Sequence, residues 1–196
     1  TKCKENQDSI SHTTTKLEDN VTKVTLLIVC DGHGALHGSK CSQFVIKFLN
    51  DIILQKLNSL SNINDDGEIS RILESTFIES HHNLLKYLNQ EISYSKIEND
   101  LIKDKSTQKN ILCGTTATVA LIINGKLFVA NCGDSEVLLL QETDESIKIL
   151  TENHDPMSLS EFRRVKKGVQ EKKYKSGLHF LFTYPRPHII PIRNDS

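Results

Sequence analysis

No apolar run in this 196-residue sequence approaches the roughly 18 to 20 residues that a membrane-spanning helix needs, and the N-terminus lacks a basic flank followed by an apolar stretch. These absences predict a cytosolic or nuclear protein with no membrane partner. The chain opens on Thr1 rather than Met, which implies an excised or processed start and leaves a lost targeting segment open. An excess of one charge is also missing. Lys and Arg number 24 and Asp and Glu 25, so no overall field draws the chain toward nucleic acid or an anionic membrane. The five cysteines, Cys3, Cys30, Cys41, Cys113 and Cys132, form an odd set with no C-x-x-C pair. That usage reads as reduced intracellular thiols rather than a disulfide framework. No internal repeat is apparent, and 37% hydrophobic content at this length predicts one globular unit over residues 1–196.

What is present is strong local patterning. Val24–Cys30 is an unbroken β-branched and aliphatic run that ends at Asp31-Gly32, which predicts a strand buried on both faces. From Ser39 to Leu57, Phe44, Val45, Phe48, Leu49, Ile52, Ile53 and Leu57 recur at three- and four-residue steps and define an amphipathic helix. After the polar break Ser61–Gly67, a second helical stripe runs through Ile69, Ile72, Leu73, Phe77, Leu84 and Leu88, so the two helices can pair antiparallel. The lysine-rich stretch Ser93–Asn110 lacks periodicity and reads as a surface loop.

The stretch from Thr115 to Asn131 changes period. Two strand-like runs flank Asn124-Gly125, the pair a type I′ hairpin turn favours because both central residues need positive φ. Further strands are expected at Glu136–Gln141 and Ile147–Leu150, giving an antiparallel meander and a mixed α and β class with segregated elements. Ser158 and Glu161 have capping-box spacing at the start of a short helix, and Arg163, Arg164, Lys166 and Lys167 read as its solvated face.

Three acidic turns carry the candidate chemistry. Asp31-Gly32-His33 ends a strand just before a helix: Asp31 is suited to bridge hard cations, Gly32 lets its carbonyl approach a ligand, and His33 can move a proton. Asp8 lies near the chain start and Asp134 in the tight turn Gly133-Asp134-Ser135. Each alone is compatible with an ordinary polar turn; together they suggest one shared oxygen-ligand site. Competing patterns fit less well. Gly32-x-Gly34-x-x-x-Gly38 resembles a dinucleotide loop, but a second helix follows instead of a parallel strand. Gly38-Ser39-Lys40 has the wrong order for a phosphate loop, and no cysteine is followed six residues later by arginine. His33 and His37 have zinc-pair spacing, but no glutamate accompanies them and glycines weaken a helix there.

Four ordered segments carry a family resemblance. Val29–Gly34 reads V-C-D-G-H-G, Cys113–Leu121 reads C-G-T-T-A-T-V-A-L, Val129–Ser135 reads V-A-N-C-G-D-S, and Leu150–Pro156 reads L-T-E-N-H-D-P, with Glu161 and Arg164 following. In this order, from about Asn6 to Val169, they resemble the D-G-H-G, G-[ST]-T-A, A-N-x-G-D-S and L-T-x-D-H-x-P motifs of the type 2C (PPM) metal-dependent serine/threonine protein phosphatases. The resemblance implies an α+β fold, a four-layer α-β-β-α sandwich of antiparallel sheets flanked by antiparallel helix pairs. The C-terminal part of that fold is missing here and residues 170–196 form a divergent tail. It also implies hydrolysis of phosphoserine and phosphothreonine in a phosphoprotein substrate by a metal-activated water. Two Mn²⁺ or Mg²⁺ ions are implied, with a third, weaker one. By resemblance Asp31 bridges the ions, the Gly32 carbonyl binds one, Asp8 orders metal-bound water, Asp134 matches the third-metal position, and His33 protonates the departing oxygen. A monomer is the expected state.

Differences from the family pattern mark the same region. Gln7 stands where many members carry a metal-binding glutamate, Ala35 where a glycine is frequent, and Glu136 where an arginine usually follows the G-D-S turn. The family's phosphate-gripping arginine would fall near Cys3, and the chain stops before the D-G and D-N motifs that supply two further aspartates. A catalytically inactive relative acting as a binding or regulatory module is the alternative reading.

Overall fold

The computed structural model describes residues 6–34, 36–98, 101–142, 145–155, 157–170, 178–183 and 186–191. The chain forms two compact units, Thr1–Thr151 and Glu152–Ser196. The first contains β1 (Ser9–Lys16), β2 (Lys23–Cys30), β3 (Gly32–Gly34), α1 (Gly38–Asn58), α2 (Asp66–Glu91), β4 (Ser95–Glu98), β5 (Leu101–Asp104), β6 (Cys113–Thr115), β7 (Ala117–Ile123), β8 (Lys126–Cys132), β9 (Leu138–Gln141) and β10 (Ser146–Ile149). The second contains α3 (Leu159–Gln170) and an antiparallel hairpin of β11 (Leu178–Thr183) and β12 (Arg186–Pro191). Of the tail, residues 171–177, 184–185 and 192–196 lie outside the described residues.

Mixed helix and antiparallel sheet is the class expected from the sequence. The centre of the first unit is a four-stranded antiparallel sheet in the order β1-β2-β7-β8. Val24, Leu26 and Ile28 of β2 and Val119, Leu121 and Ile123 of β7 pack with Val45, Leu49, Ile53 and Leu57 of α1 and Ile69, Ile72 and Leu73 of α2. Each strand contributes every second residue and each helix every third or fourth, so the two periodicities meet in one core.

That core corrects the reading of Val24–Cys30 as buried on both faces. Leu27 and Val29 are 38% and 43% exposed, because the helices cover only the face carrying Leu26 and Ile28. A continuous apolar run here is a one-faced strand whose outer positions are also aliphatic.

Two further expectations change. Ser93–Asn110 is not an unstructured loop: β4 and β5 pair antiparallel, with Ile97 opposite Ile102. Glu98 accepts from Lys96 and Lys103, each at 2.9 Å, and Asp104 accepts from the backbone N–H groups of Ser106 and Thr107 to close the next turn. The meander also stops at β8. Among the described residues β9 pairs with β10 as a separate two-stranded sheet, after a turn in which Gly133 has a φ of +124°.

Of the other local signals, the Asn-Gly turn appears as read and the capping box only in part. Asn124 and Gly125 have φ of 50° and 73°, which two successive left-handed residues require. Asp65 caps α2 by accepting from Glu68 N–H at 3.0 Å. In α3, Ser158 accepts from Glu161 N–H at 3.3 Å, while the Glu161 carboxylate pairs forward with Arg164 instead of turning back to complete the box. Arg163, Arg164, Lys166 and Lys167 are exposed.

Candidate functional site

Sheet register brings the acidic turns to one end of the four-stranded sheet. Ser9 pairs with Cys30, so Asp8 and Asp31 are the next residues outward on adjacent strands. Val29 pairs with Thr118, so Asp31 runs out beside Thr116, and Ala117 pairs with Cys132, so Thr116 runs out beside Gly133 and Asp134. Residues far apart in sequence thus share one sheet edge because strands of matched length end together.

Threonines hold the Asp31 backbone. Thr116 N–H and Thr115 Oγ1 donate to the Asp31 carbonyl at 2.8 and 3.0 Å, and Asp31 N–H donates to Thr116 Oγ1 at 3.0 Å. Thr116 Oγ1 is also 3.0 Å from the Ser135 hydroxyl, so one side chain links the turns that carry Asp31 and Asp134. With its backbone occupied, Asp31 presents its carboxylate outward.

Charge links these groups. The Asp31 pKa is raised above the ordinary carboxylate value, first by desolvation at the crowded sheet end, then by the charge of Asp8 and a hydrogen bond with it, then by the charge of Asp134; His33 partly offsets this. Asp31 is nonetheless exposed at its tip, as are Asp8, His33 and Asp134, so the group faces solvent.

The D-G-H-G segment sits against α1 without room for side chains. A β-carbon on Gly32 would lie 2.5 Å from the Gly38 carbonyl oxygen and would strike the Gln7 carbonyl as well. Gln7 Nε2 donates to the Gly34 carbonyl at 3.0 Å, and Ser42 Oγ donates to the Gln7 carbonyl at 2.5 Å. Gln7 is therefore a strut between the start of β1, the β3 segment and α1. His33 pairs with Gly114 in the β3–β6 ladder and its ring lies on that glycine. Beside it opens a cavity of about 340 Å³, lined by His33, His81, Leu84, Leu88, Ile111 and Cys113 among others.

Carboxylates with a backbone carbonyl make a hard-oxygen donor set, the kind that Mg²⁺ and Mn²⁺ take, and the mutual repulsion at Asp31 is what a bound cation would relieve. Among the described residues, no three His, Cys, Asp or Glu side chains stand in an arrangement that encloses an ion. The zinc-pair spacing does not survive folding: His33 lies in β3, while His37 precedes α1 and contacts the Tyr94 hydroxyl at 3.4 Å. Nor does the dinucleotide loop, since α1 leads into α2 and the sheet is antiparallel. Sequence reasoning missed Thr116, Gly114 and the strut role of Gln7. Each acts through backbone or contact, and only strand register could have pointed to them.

Comparison with known proteins gives the family. The family described as "Protein phosphatase 2C" matches residues 2–169. Among individual relatives, the integrin-linked kinase-associated serine/threonine phosphatase 2C of Bos taurus is 28% identical over 151 residues, covering 75% of this chain and 36% of that protein. The mitochondrial protein phosphatase 1K of Xenopus laevis is 29% identical over 167 residues, covering 85% and 37%. Probable protein phosphatase 2C 35 of Arabidopsis thaliana is 30% identical over 165 residues, covering 83% and 39%. A solved structure, the Mycobacterium tuberculosis serine/threonine phosphatase PstP/Ppp, aligns with TM-score 0.46 at 18% identity, over 86% of this chain and 61% of that one. The chain spans little more than a third of the length of these curated relatives.

Proposed function

The chain belongs to the protein phosphatase 2C family, and from that premise we propose that it forms the metal-binding part of a phosphatase that hydrolyses phosphoserine and phosphothreonine in proteins. The observation that carries the reading is the shared field of Asp8, Asp31 and Asp134, reached from three different strand ends. Asp31 and the Gly32 carbonyl would hold two Mn²⁺ or Mg²⁺ ions, Asp8 would fix water beside them, and Asp134 would hold a third, weaker ion. Such ions supply Lewis acidity toward phosphoryl oxygens and a nucleophile drawn from water at neutral pH. The chain's own residues then position and protonate. The threonine clasp fixes where Asp31 points, Gln7 keeps the β3 segment against α1, and the absence of side chains at Gly32 and Gly38 lets backbone approach closely. His33, exposed and seated on Gly114, delivers a proton to the departing serine or threonine oxygen.

The wider reading is an α-β-β-α sandwich domain, monomeric, cytosolic or nuclear, acting on a phosphoprotein. Among the described residues no helix is long and apolar enough to cross a membrane. The test is calorimetric titration with manganese, with hydrolysis of a phosphopeptide measured beside an Asp31→Ala control. Saturable ion binding and turnover that both depend on Asp31 are expected. Neither binding nor turnover would overturn the enzymatic reading and leave the inactive binding module, for which Glu136 in place of the usual arginine is the supporting residue.

A further inference from the structure

The site described above makes no use of the cysteines, yet two of them pack in one apolar cluster. Cys41, on the first turn of α1, is fully buried. Cys113 opens β6, is half-buried, and lines the cavity beside His33. Both belong to one cluster with Leu88, Ile92 and Ile102, and both are free thiols. They meet where α1 packs on β6, within that one apolar cluster, and the two thiols influence each other's ionisation there.

The interaction divides the labour between them. Interaction with Cys113 and burial push the Cys41 pKa up, whereas interaction with Cys41 pulls Cys113 down despite its partial burial. Thiolate character therefore collects on the sulfur that faces the cavity, and the protonated partner waits behind it. Cys30 offers a contrast within the same fold. It is buried in the core, and desolvation pushes its pKa up to about 12, with Thr115 partly opposing this.

We propose that Cys41 and Cys113 form an oxidation site that a hydroperoxide entering the cavity closes to an intramolecular disulfide. In the first step the Cys113 thiolate attacks a peroxide oxygen. The O–O bond breaks, hydroxide leaves and takes a proton as water, and Cys113 becomes a sulfenic acid. In the second step the Cys41 sulfur attacks the Cys113 sulfur, the S–O bond breaks, and the hydroxyl departs as water with the Cys41 proton. Two thiols and one hydrogen peroxide give one disulfide and two waters, and the peroxide accepts the two electrons.

The bridge would act on the neighbouring strand pair. Cys113 pairs with Gly34, and the next residue, Gly114, carries the His33 ring. Joining β6 covalently to α1 therefore pulls on the support of that imidazole. This effect on turnover rests on the phosphatase reading; formation of the bond does not.

The full chain is treated with graded hydrogen peroxide, denatured in the presence of an alkylating agent, digested without reductant and analysed by mass spectrometry. The expected product is a peptide pair joined through Cys41 and Cys113, two hydrogens lighter than the sum of its parts. It disappears with dithiothreitol and is absent from Cys113→Ser. In that variant Cys41 remains alkylated, and because position 113 is only half-buried the substitution is structurally mild. The proposal is overturned if Cys41 and Cys113 are both recovered alkylated while Cys132 is oxidised, or if Cys113 proceeds to sulfinic acid without bridging. Turnover of a phosphopeptide is followed in parallel. Loss upon bridging and recovery with dithiothreitol support the coupling to His33, whereas absence of turnover before peroxide is added counts against the phosphatase reading and leaves the disulfide result standing.

Discussion

The imidazole of His33 rests on Gly114: a β-carbon at position 114 would stand 2.8 Å from Cε1 and 2.9 Å from Nε2 of the ring. The ring occupies its place because its ladder partner has no side chain. Gly114→Ala must tilt the imidazole away from its present aim. On the phosphatase reading, turnover of a phosphopeptide falls on the order of 100-fold, as a displacement near 1 Å does in a positioned site. The fall should lie in kcat rather than KM, with little movement of the urea midpoint. Unchanged kcat would show that the contact does not position His33.

Burial on one face of β2 predicts unequal costs along one strand. Leu26→Ala, at a fully buried position, should destabilise the chain by about 2–5 kcal/mol in urea denaturation. Leu27→Ala, one residue on and 38% exposed, should cost less than half as much. Equal costs would mean that both faces of the strand are covered in solution.

Gly133→Ala should be worse than Gly125→Ala, although both glycines have positive φ. At Gly133 the φ of +124° is outside the ordinary range for L-residues, and the new methyl would meet Thr116 Cγ2 at 2.5 Å. At Gly125 the φ is +73° and no atom lies within 4 Å. We expect about 1–3 kcal/mol for the first and about 1 kcal/mol for the second, by thermal or urea denaturation.

The hairpin of β4 and β5 should loosen in acid by two separable routes. The Glu98 pKa is held at about 2 chiefly by hydrogen bonds from Lys96 and then Lys103, and Asp104 at about 2 chiefly by the Ser106 hydroxyl and the Thr107 N–H. Both folded values lie below the unfolded ones, near 3.9 for Asp and 4.3 for Glu. The stability they contribute is therefore complete above those unfolded values and is lost as pH falls through about 2. NMR titration of the two carboxyls checks the midpoints. Added salt should move Glu98 back toward its ordinary value, because its partners are charged, and should leave Asp104 nearly unmoved, because its partners are neutral.

How much of this was legible in the sequence depends on where the physical cause lies. α1 and α2 follow from apolar spacing, and the β7–β8 hairpin from Asn124-Gly125, because those causes are local. The β4–β5 hairpin was hidden because Lys96 and Lys103 look like loop residues until Glu98 is seen to bind both. Val24–Cys30 misled because hydropathy does not say which face a helix will cover. At the site, Asp8, Asp31, His33 and Asp134 stood out as chemistry-bearing turn residues, and their common field is an outcome of strand register. Thr116 and Gly114 carry no chemical signature, since one acts by where its hydroxyl reaches and the other by having no side chain.

The hydroxyl of Thr116 touches both Asp31 N–H and Ser135 Oγ. Two corners of the polypeptide are thereby hinged on a single pin, and they should open and close as one body. Amide hydrogen exchange at 31 and at 135 would then respond together when the pin is removed, and a cation arriving at either corner would still both.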